Sequence, residues 1–395
     1  MERNSNLGYL AVGKQSAKGT AVTPAVYLPI YDADITTNPN FQKQNPIIGT
    51  KFANRSTLRG LREHNGSITV EGEPTTVGYI VDMFAKKGST TGSDPYTHPF
   101  TLSKTADPNY YTLDISYVSH VKRYIGAGVS KIEESWEDNE LRLKCDISCL
   151  KVWDGREVAS VTGSGPYTIT FKTEYDPSPT TGLVVGDTIQ LFDVSVGSYI
   201  DCIVDTIENA TDITVSENVS AGTAGDFVTL KPATSPSYSN KPTFEWANTE
   251  YRFGATAAAA LSAAHTGLEQ DTSLVLSHPF EDDAGSHRSG SHDPVSLPRM
   301  QGDYEFKTKK YFDTPEDLQY YSSMDKRACV VRHFAYSGAL TYELRITLNN
   351  LTQANPEPKM KSEEILYSEI EFTGNYDTSD AQGMDIKVLN GTSSI

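Results

Sequence analysis

The sequence of 395 residues contains only four cysteines, at positions 145, 149, 202 and 329. So small and scattered a set excludes a disulfide-stapled scaffold, which uses many cysteines in a short chain. Cys145 and Cys149 fall on one face of a predicted strand, where four residues span about 13 Å, too far for a disulfide bond. We therefore interpret these two cysteines as small core residues.

Positive charge is also scarce, since 34 Lys and Arg face 51 Asp and Glu and leave a formal net charge of −17 at pH 7. A dedicated nucleic-acid-binding site needs clustered cations to neutralise phosphates, so the excess of acidic residues argues against one. No window approaches the roughly 18 apolar residues of a membrane span, and residues 1–6 lack the pattern of a signal peptide. We expect a soluble, cytosolic protein of about two or three domains with substantial cores.

Apolar and polar residues alternate along several segments, which is typical of strands that bury one face. Over residues 140–150 the apolar side is formed by Leu141, Leu143, Cys145, Ile147 and Cys149. The pattern recurs over residues 341–349 and 363–372, and shorter segments at 67–71 and 110–117 add further strands. The sequence predicts a mainly β fold whose sheet has a core side and a side that faces solvent or a partner.

Three segments have helical patterns. Residues 74–87 begin with proline, place four large apolar residues on one face and end before Gly88, which together predict a helix. Residues 314–327 begin with Thr314 as a capping residue, followed by proline and two acids, and predict a second helix. The alanine-rich segment 255–264 is a third candidate.

Residues 156–241 differ in composition from the flanking chain. This block has eleven acids against four bases, and its short alternating segments are separated by turn clusters. Five or six such strands in about 75 residues predict a small β-barrel or sandwich. Strand patterns on both sides of the block need each other to close one sheet. We therefore interpret residues 156–241 as a domain inserted into a β domain formed by residues 1–155 and 242–395.

No catalytic residue is predicted. Residues 8–15 nearly spell a phosphate-binding loop, but Gln15 replaces the magnesium-binding hydroxyl, and an ordinary first strand and turn is the better interpretation. No motif for a Ser or Cys nucleophile occurs. The adjacent acids Glu133 and Glu134, like Glu363 and Glu364, point to opposite faces of predicted strands and cannot act as a pair. We interpret them as parts of solvated faces.

A group of histidines and aspartates near residue 285 has the donor types that bind zinc. Its members are His278, Asp282, Asp283, His287, His292 and Asp293, in a Gly/Ser-rich segment. Their spacing matches no defined motif, so a hydrated loop is favoured over a metal site. No metal and no cofactor are predicted.

A long, polar, poorly periodic connection spans residues 36–62. It ends in a basic group within a chain otherwise rich in acids, formed by Lys51, Arg55, Arg59 and Arg62. Loops of this length usually have a function or are disordered. Two interpretations stay open, a docking loop that meets the acidic surface of a neighbouring copy and a plain solvated loop.

The order of several short segments along the chain is informative. They are Gly-Thr-Ala-Val-Thr-Pro at 19–24, the polar connection at 36–62, Gly-Ser-Ile-Thr-Val-Glu-Gly-Glu-Pro at 66–74 with the helix after it, Glu-Leu-Arg-Ile-Thr-Leu-Asn-Asn at 343–350, the strand at 365–372, and Gly-Met-Asp-Ile-Lys-Val-Leu-Asn at 383–390. In this order they resemble the tail tube (major tail) proteins of long-tailed bacteriophages. The likeness covers most of residues 1–155 and 242–395 and leaves the insert outside.

The resemblance implies a tail-tube-type β-sandwich with a flanking helix, a structural virion protein and not an enzyme. Copies of it would form hexameric rings, stacked into a tail tube that is assembled in the host cytoplasm. Its partners would be other copies of itself and the tail tip or baseplate, tape measure and tail terminator proteins. DNA would pass through the tube without specific binding, and no membrane would be involved.

The resemblance also assigns roles to particular residues. The family's early loop and terminal arms contact the next ring, which would give residues 36–62 and the region after Phe372 a docking role. An acidic lumen repels phosphate and lets DNA pass, and Glu369 and Glu371, on the polar side of a predicted strand, are our candidates for lumen-facing acids. The insert would lie on the tube exterior.

Two other functions stay open. The 22 tyrosines and the Ser/Thr/Gly-rich loops suit a soluble carbohydrate-binding or adhesin-like β protein, a monomer with saturable sugar binding. A metal-dependent enzyme built on residues 278–293 would lose activity with His287→Ala or His292→Ala. The sequence also leaves open whether the tail is contractile, which host it serves, and whether the insert binds a glycan or host surface or only decorates the tube.

Overall fold

The computed structural model of the chain describes the residue ranges 8–40, 42–44, 56–58, 60–102, 107–174, 176–220, 222–265, 269–281, 293–311, 325–354, 358–359, 367–374 and 383–395. Most of the regular structure in these ranges is β-strand, which confirms the predicted mainly β class. No helix in this part of the chain is both long enough and apolar enough to cross a membrane.

The regular elements fall into three groups along the chain. The first contains β1 (Tyr9–Lys14), β2 (Val26–Leu28), β3 (Ile30–Asn38), β4 (Gln42–Gln44), β5 (Ser56–Leu58), β6 (Glu63–Glu71), α1 (Pro74–Phe84), β7 (Lys86–Lys87), β8 (Thr91–Gly92), β9 (Tyr96–Thr101), β10 (Tyr111–Ser116), β11 (Val121–Glu137), β12 (Glu140–Cys149) and β13 (Lys151–Trp153). The second contains β14 (Arg156–Gly163), β15 (Tyr167–Phe171), β16 (Thr188–Asp193), β17 (Ser198–Ile207), β18 (Asp212–Val215) and β19 (Phe227–Leu230). The third contains β20 (Thr249–Gly254), α2 (Ala257–Ser262), β21 (Glu269–Ser277), β22 (Asp303–Tyr311), β23 (Arg327–Ser337), β24 (Leu340–Ala354), β25 (Pro358–Lys359), β26 (Tyr367–Gly374) and β27 (Met384–Asn390).

Strands from both ends of the chain build one large sheet system. One part has the order β3-β6-β12-β11-β21-β22-β26, all antiparallel. The other has the order β20-β23-β24-β27-β9, and the end of β24 also pairs with β26. Buried side chains of both parts form a single hydrophobic core that includes Leu143, Phe306, Tyr342, Phe372 and Val388. The alternation in the sequence therefore identifies the strands because one face of each packs into this core.

Helix α1 covers part of the same core. Ten of its eleven residues are buried, and it ends at Phe84 rather than at the predicted Lys87. The difference arises because Lys86 and Lys87 form β7, which pairs with β9.

Helix α2 confirms the alanine-rich candidate. Of the predicted helix at 314–327, residues 314–324 lie outside the described residues, and the prediction is wrong at its end because Arg327 begins β23.

The six strands of the middle group close into a small barrel. The pairing runs β14-β15-β18-β17-β16-β19 and returns from β19 to β14, antiparallel throughout. Alternate side chains fill its interior, including Phe171, Leu191 and Val228. Of the two forms that the sequence left open, the barrel is the one observed, and closure leaves its strands no free edge. Its core also takes in Tyr9 and Trp153 from neighbouring strands, so the division into separate domains stays a prediction.

All four cysteines are buried, and none of them is part of a disulfide bond. Burial raises the pKa of the Cys202 thiol to about 12, so it stays protonated at neutral pH. Cys145 and Cys149 point into the core from β12. The prediction that these two are small core residues is confirmed.

Candidate functional site

The outer face of the sheet β3-β6-β12-β11-β21-β22-β26 carries almost only polar side chains. Paired positions place the same face of neighbouring strands side by side, as in the row Asp32, Thr69, Lys144, Glu133, Val275, Glu305 and Thr373. The acids of this face are Asp32, Asp34, Glu63, Glu71, Glu133, Glu137, Glu140, Asp146, Asp271, Asp303, Glu305, Glu369 and Glu371, and its bases are Lys131, Arg142, Lys144, Lys307 and Lys309. Acids thus outnumber bases across the described part of this surface, which we call the polar face.

The charges of the polar face are partly paired with one another. Lys307 lies between Glu305 at 2.7 Å and Glu371 at 3.0 Å, and Lys131 lies 2.9 Å from Glu133. The hydrogen bond to Glu305 raises the pKa of Lys307, and that to Glu133 raises the pKa of Lys131, so both lysines are fully charged at neutral pH. Such exposed pairs contribute little to stability. Their main effect is to set the potential of the surface.

Both predicted lumen acids lie on the polar face, as their alternation indicates. Glu369 is exposed and stands opposite Lys309, and Glu371 is half-buried and stands opposite Lys307. The sequence predicted the outward direction of these side chains from period-2 alternation alone. It did not predict the facing lysines, because strand pairing between distant segments leaves no local signal. Whether the two acids line a lumen stays a prediction.

The segment 36–62 is more regular than the predicted loop. β3 continues to Asn38, opposite Glu63, and β4 pairs with β5 through Gln42 and Leu58. The two short strands pair only with each other among the described residues, and we call residues 36–62 the arm. The prediction of an irregular connection is wrong here because β4 and β5 have only three residues each, too few to show the alternation that reveals a strand.

Of the four predicted docking residues, Lys51, Arg55 and Arg59 lie outside the described residues. Arg62 has its Nε 3.4 Å from Asp293, and the Nε2 atom of His64 lies 3.3 Å from the same carboxylate oxygen. Burial alone would raise the pKa of Asp293, but the hydrogen bond from His64 and the charge of Arg62 outweigh it and lower that pKa. Arg62 therefore ties the base of the arm to its own chain.

The predicted His and Asp group does not assemble where it can be observed. Residues 282–292 lie outside the described residues. His278 is buried and its Nδ1 lies 3.3 Å from the carbonyl oxygen of Phe84, while Asp293 contacts His64 instead. No group of three or more potential metal ligands occurs in the described ranges. Residues 9–14, within the segment similar to a phosphate-binding loop, form the ordinary strand β1, as expected.

One of the adjacent acids was wrongly interpreted from the sequence. Glu133 lies on the polar face, but Glu134 is buried, with its Oε1 3.4 Å from Nε2 of His333. The Nδ1 atom of His333 lies 3.0 Å from the hydroxyl of Thr249. The sequence indicated only that Glu133 and Glu134 point to opposite faces. The fold shows that Glu134 is the inward one and that β23 supplies a histidine beside it. Glu363 and Glu364 lie outside the described residues.

The region after Phe372 belongs to the chain's own sheet where it is described. β27 inserts between β24 and β9 with alternate buried side chains, so this part is not a free terminal arm.

Neither a protein-family model nor a curated protein matches the sequence. Functional assignment therefore depends on the surfaces described above.

Proposed function

We propose that the chain is the tail tube subunit of a long-tailed bacteriophage, a structural protein that forms stacked hexameric rings around a DNA channel. The polar face is the observation that carries this proposal. A seven-stranded sheet with an almost wholly polar, acid-rich outer face is wide enough to line a water-filled channel when several copies are placed side by side. Phosphates would be repelled from such a wall, so DNA would pass without being retained.

The edge of the polar face supports ring formation. β3 is nine residues long and pairs with β6 along one edge, and no strand of the described chain pairs with its other edge. A long open edge invites uncontrolled pairing with other chains. Closure of a ring removes such edges because the strands of each copy continue the sheet of the next. The tail-tube-type sandwich is therefore part of the proposal.

The arm gives the proposal its second contact. It connects β3 to β6 at the same edge and would reach the neighbouring ring with Lys51, Arg55 and Arg59. The barrel, with its excess of acids, would lie on the outside of the tube. Tail tip, tape measure and terminator proteins would meet the ends and the interior of the assembled tube.

Negative-stain electron microscopy of the purified protein over a range of concentration and salt tests the proposal. We expect rings or hollow tubes of uniform diameter. A variant in which residues 42–58 are replaced by a short Gly-Ser linker should form single rings without stacking. The matched control replaces the exposed barrel turn 194–197 by Gly-Ser and should still form tubes.

Other outcomes would overturn the proposal. If the full-length protein stays monomeric at high concentration and also after addition of a preformed tail tip or tube seed, the chain is not a tube subunit. If the arm variant stacks as well as the unaltered protein does, the role of the arm is wrong even though the tube is correct.

A further inference from the structure

Three aromatic side chains form a row across the outside of the barrel. Phe192 on β16 stands directly opposite Tyr199 on β17 and Phe227 on β19. The ring centroids of Phe192 and Tyr199 are 4.9 Å apart, and Tyr199 and Phe227 are 54% and 44% exposed. We call these three side chains the aromatic row. The barrel core lies on the opposite side of the same strands, so core packing does not explain the row.

A polar row follows one step along the same three strands. Gln190 stands opposite Asp201 and Thr229, and its Nε2 donates a hydrogen bond of 2.9 Å to Asp201. Lys231 holds the other carboxylate oxygen of Asp201 at 2.6 Å. The hydroxyl of Thr229 makes no hydrogen bond with the described residues. An apolar strip and a strip of fixed polar groups thus lie side by side.

We propose that this face of the barrel binds a neutral glycan. A sugar ring has an apolar C–H face that packs on an aromatic ring, and hydroxyl groups at its edge that pair with carboxylate and amide groups. Neighbouring strands are about 4.8 Å apart, so the three rings are spaced by about the length of one sugar unit. Successive units of a polysaccharide would lie across the strands.

Charge and hydrogen bonding decide in favour of a neutral glycan over other occupants. The block 156–241 has eleven acids and four bases, so polyanions such as nucleic acid or acidic polysaccharides would be repelled. Hydroxyl donors, in contrast, match the acceptor oxygens of Asp201 and Gln190. A protein partner or a second copy of the chain would also cover an apolar strip, and the self-association outcome of the test below distinguishes these occupants from a glycan.

Affinity electrophoresis of the full-length, unassembled protein tests the site. Native gels would contain dextran, mannan, laminarin or hydroxyethyl cellulose, with hyaluronate as the anionic comparison. We expect at least one neutral polymer to retard the protein. Tyr199→Ala and Phe227→Ala should each weaken retardation at least about tenfold, as for an interface anchor. The matched control is Tyr336→Ala, which removes a ring that is 55% exposed on β23, outside the barrel.

Several outcomes would overturn the proposal. These are no retardation by any neutral polymer, retardation by hyaluronate alone, or equal retardation of the two barrel variants and the control. Self-association that disappears in the same variants would identify the row as a contact between copies. If an alanine variant does not fold, Tyr199→Leu and Phe227→Leu keep the apolar bulk and remove the rings. Because tube formation is not required, failure here leaves the tube proposal intact, and the reverse also holds.

Discussion

Arg123 lies between two aspartates that come from different parts of the fold. Its Nε and Nη2 atoms each lie 2.8 Å from an oxygen of Asp114 on β10, and its Nη1 lies 2.5 Å from Asp187, in the turn before β16. Nη1 also donates to the carbonyl of Gly182 at 3.0 Å. All three charged side chains are largely or wholly buried. One arginine thus neutralises two carboxylates and joins the barrel to the large sheet.

Arg123→Met is expected to destabilise the protein by about 3–5 kcal/mol, because it leaves two buried carboxylates without their partner. The measurement is chemical denaturation at neutral pH, followed by circular dichroism. The control is Lys172→Met in the barrel, which breaks an exposed pair with Glu157 and should cost less than about 1 kcal/mol. Equal effects of the two substitutions would contradict the structural role of Arg123.

His278 makes stability depend on pH. Burial, reinforced by the charge of Arg299, lowers the pKa of this histidine from 6.5 to about 4. Above pH 6.5 the side chain is neutral in both the folded and the unfolded state and has no effect. As pH falls towards 4, only the unfolded chain takes up the proton, so stability declines.

Between pH 7 and 4.5, His278 is expected to remove about 2 kcal/mol from the free energy of unfolding. His278→Gln should abolish this part of the decline. Urea denaturation at both pH values measures the difference, and His265→Gln, at an exposed position, is the control. A variant that loses as much stability as the unaltered protein does over this range would show that His278 is not the cause.

Glu73 caps helix α1, directly before the proline that helped to predict this helix. Its carboxylate accepts hydrogen bonds from the backbone N–H groups of Thr76 at 2.7 Å and Thr75 at 3.1 Å. Pro74 follows at the first helical position, where its missing N–H costs nothing. The proline is a local signal that the sequence analysis used, whereas the Glu73 cap was not predicted. Glu73 also accepts a hydrogen bond of 3.1 Å from the hydroxyl of Ser239, which joins residues far apart in the chain and is not predictable from local pattern.

Glu73→Ala is expected to cost about 1–2 kcal/mol, since it leaves backbone donors at the start of α1 and the Ser239 hydroxyl without their acceptor. Glu73→Gln keeps one acceptor oxygen and should cost less than Glu73→Ala. Urea denaturation of the two variants beside the unaltered protein gives the comparison. An alanine variant as stable as the parent would mean that solvent replaces the cap.

β11 shows that apolar and polar alternation predicts a strand but not the strands with which it pairs. Over its 17 residues, the first part pairs with β10 and β13, and the second with β12 and β21. Gly126 has a φ of +68° in this strand, a conformation that residues with a side chain rarely adopt. The two halves of β11 thus pair with different sets of strands. The alternation of apolar and polar residues within one segment does not reveal which distant segments pair with it. For the same reason the sequence revealed the strands of the barrel but not the aromatic row, which requires the register of three strands.

The barrel and the large sheet share buried surface, which couples these two parts of the molecule. Trp153 lies wholly inside the barrel's core although its strand pairs with β11, and its Nε1 donates to the carbonyl of Pro179 at 2.9 Å. Tyr9 on β1 packs into the same core and its hydroxyl accepts a hydrogen bond from the Ala233 amide at 2.9 Å. An insert joined only by two linkers would have neither contact. The tertiary structure therefore couples the two parts more strongly than the shift in composition suggests.

We expect the barrel and the large sheet to unfold in one cooperative transition, because opening either part exposes the shared core and the Arg123 network. Differential scanning calorimetry should give equal calorimetric and van't Hoff enthalpies, with coincident transitions by tryptophan fluorescence and circular dichroism. Two separate transitions in the unaltered protein would contradict this coupling and support an independently folding insert. Arg123→Met removes the charged part of the junction but leaves Trp153 and Tyr9 in place. If that variant alone unfolds in two steps, the ion network couples the parts, whereas a single lowered transition assigns the coupling to the shared apolar core.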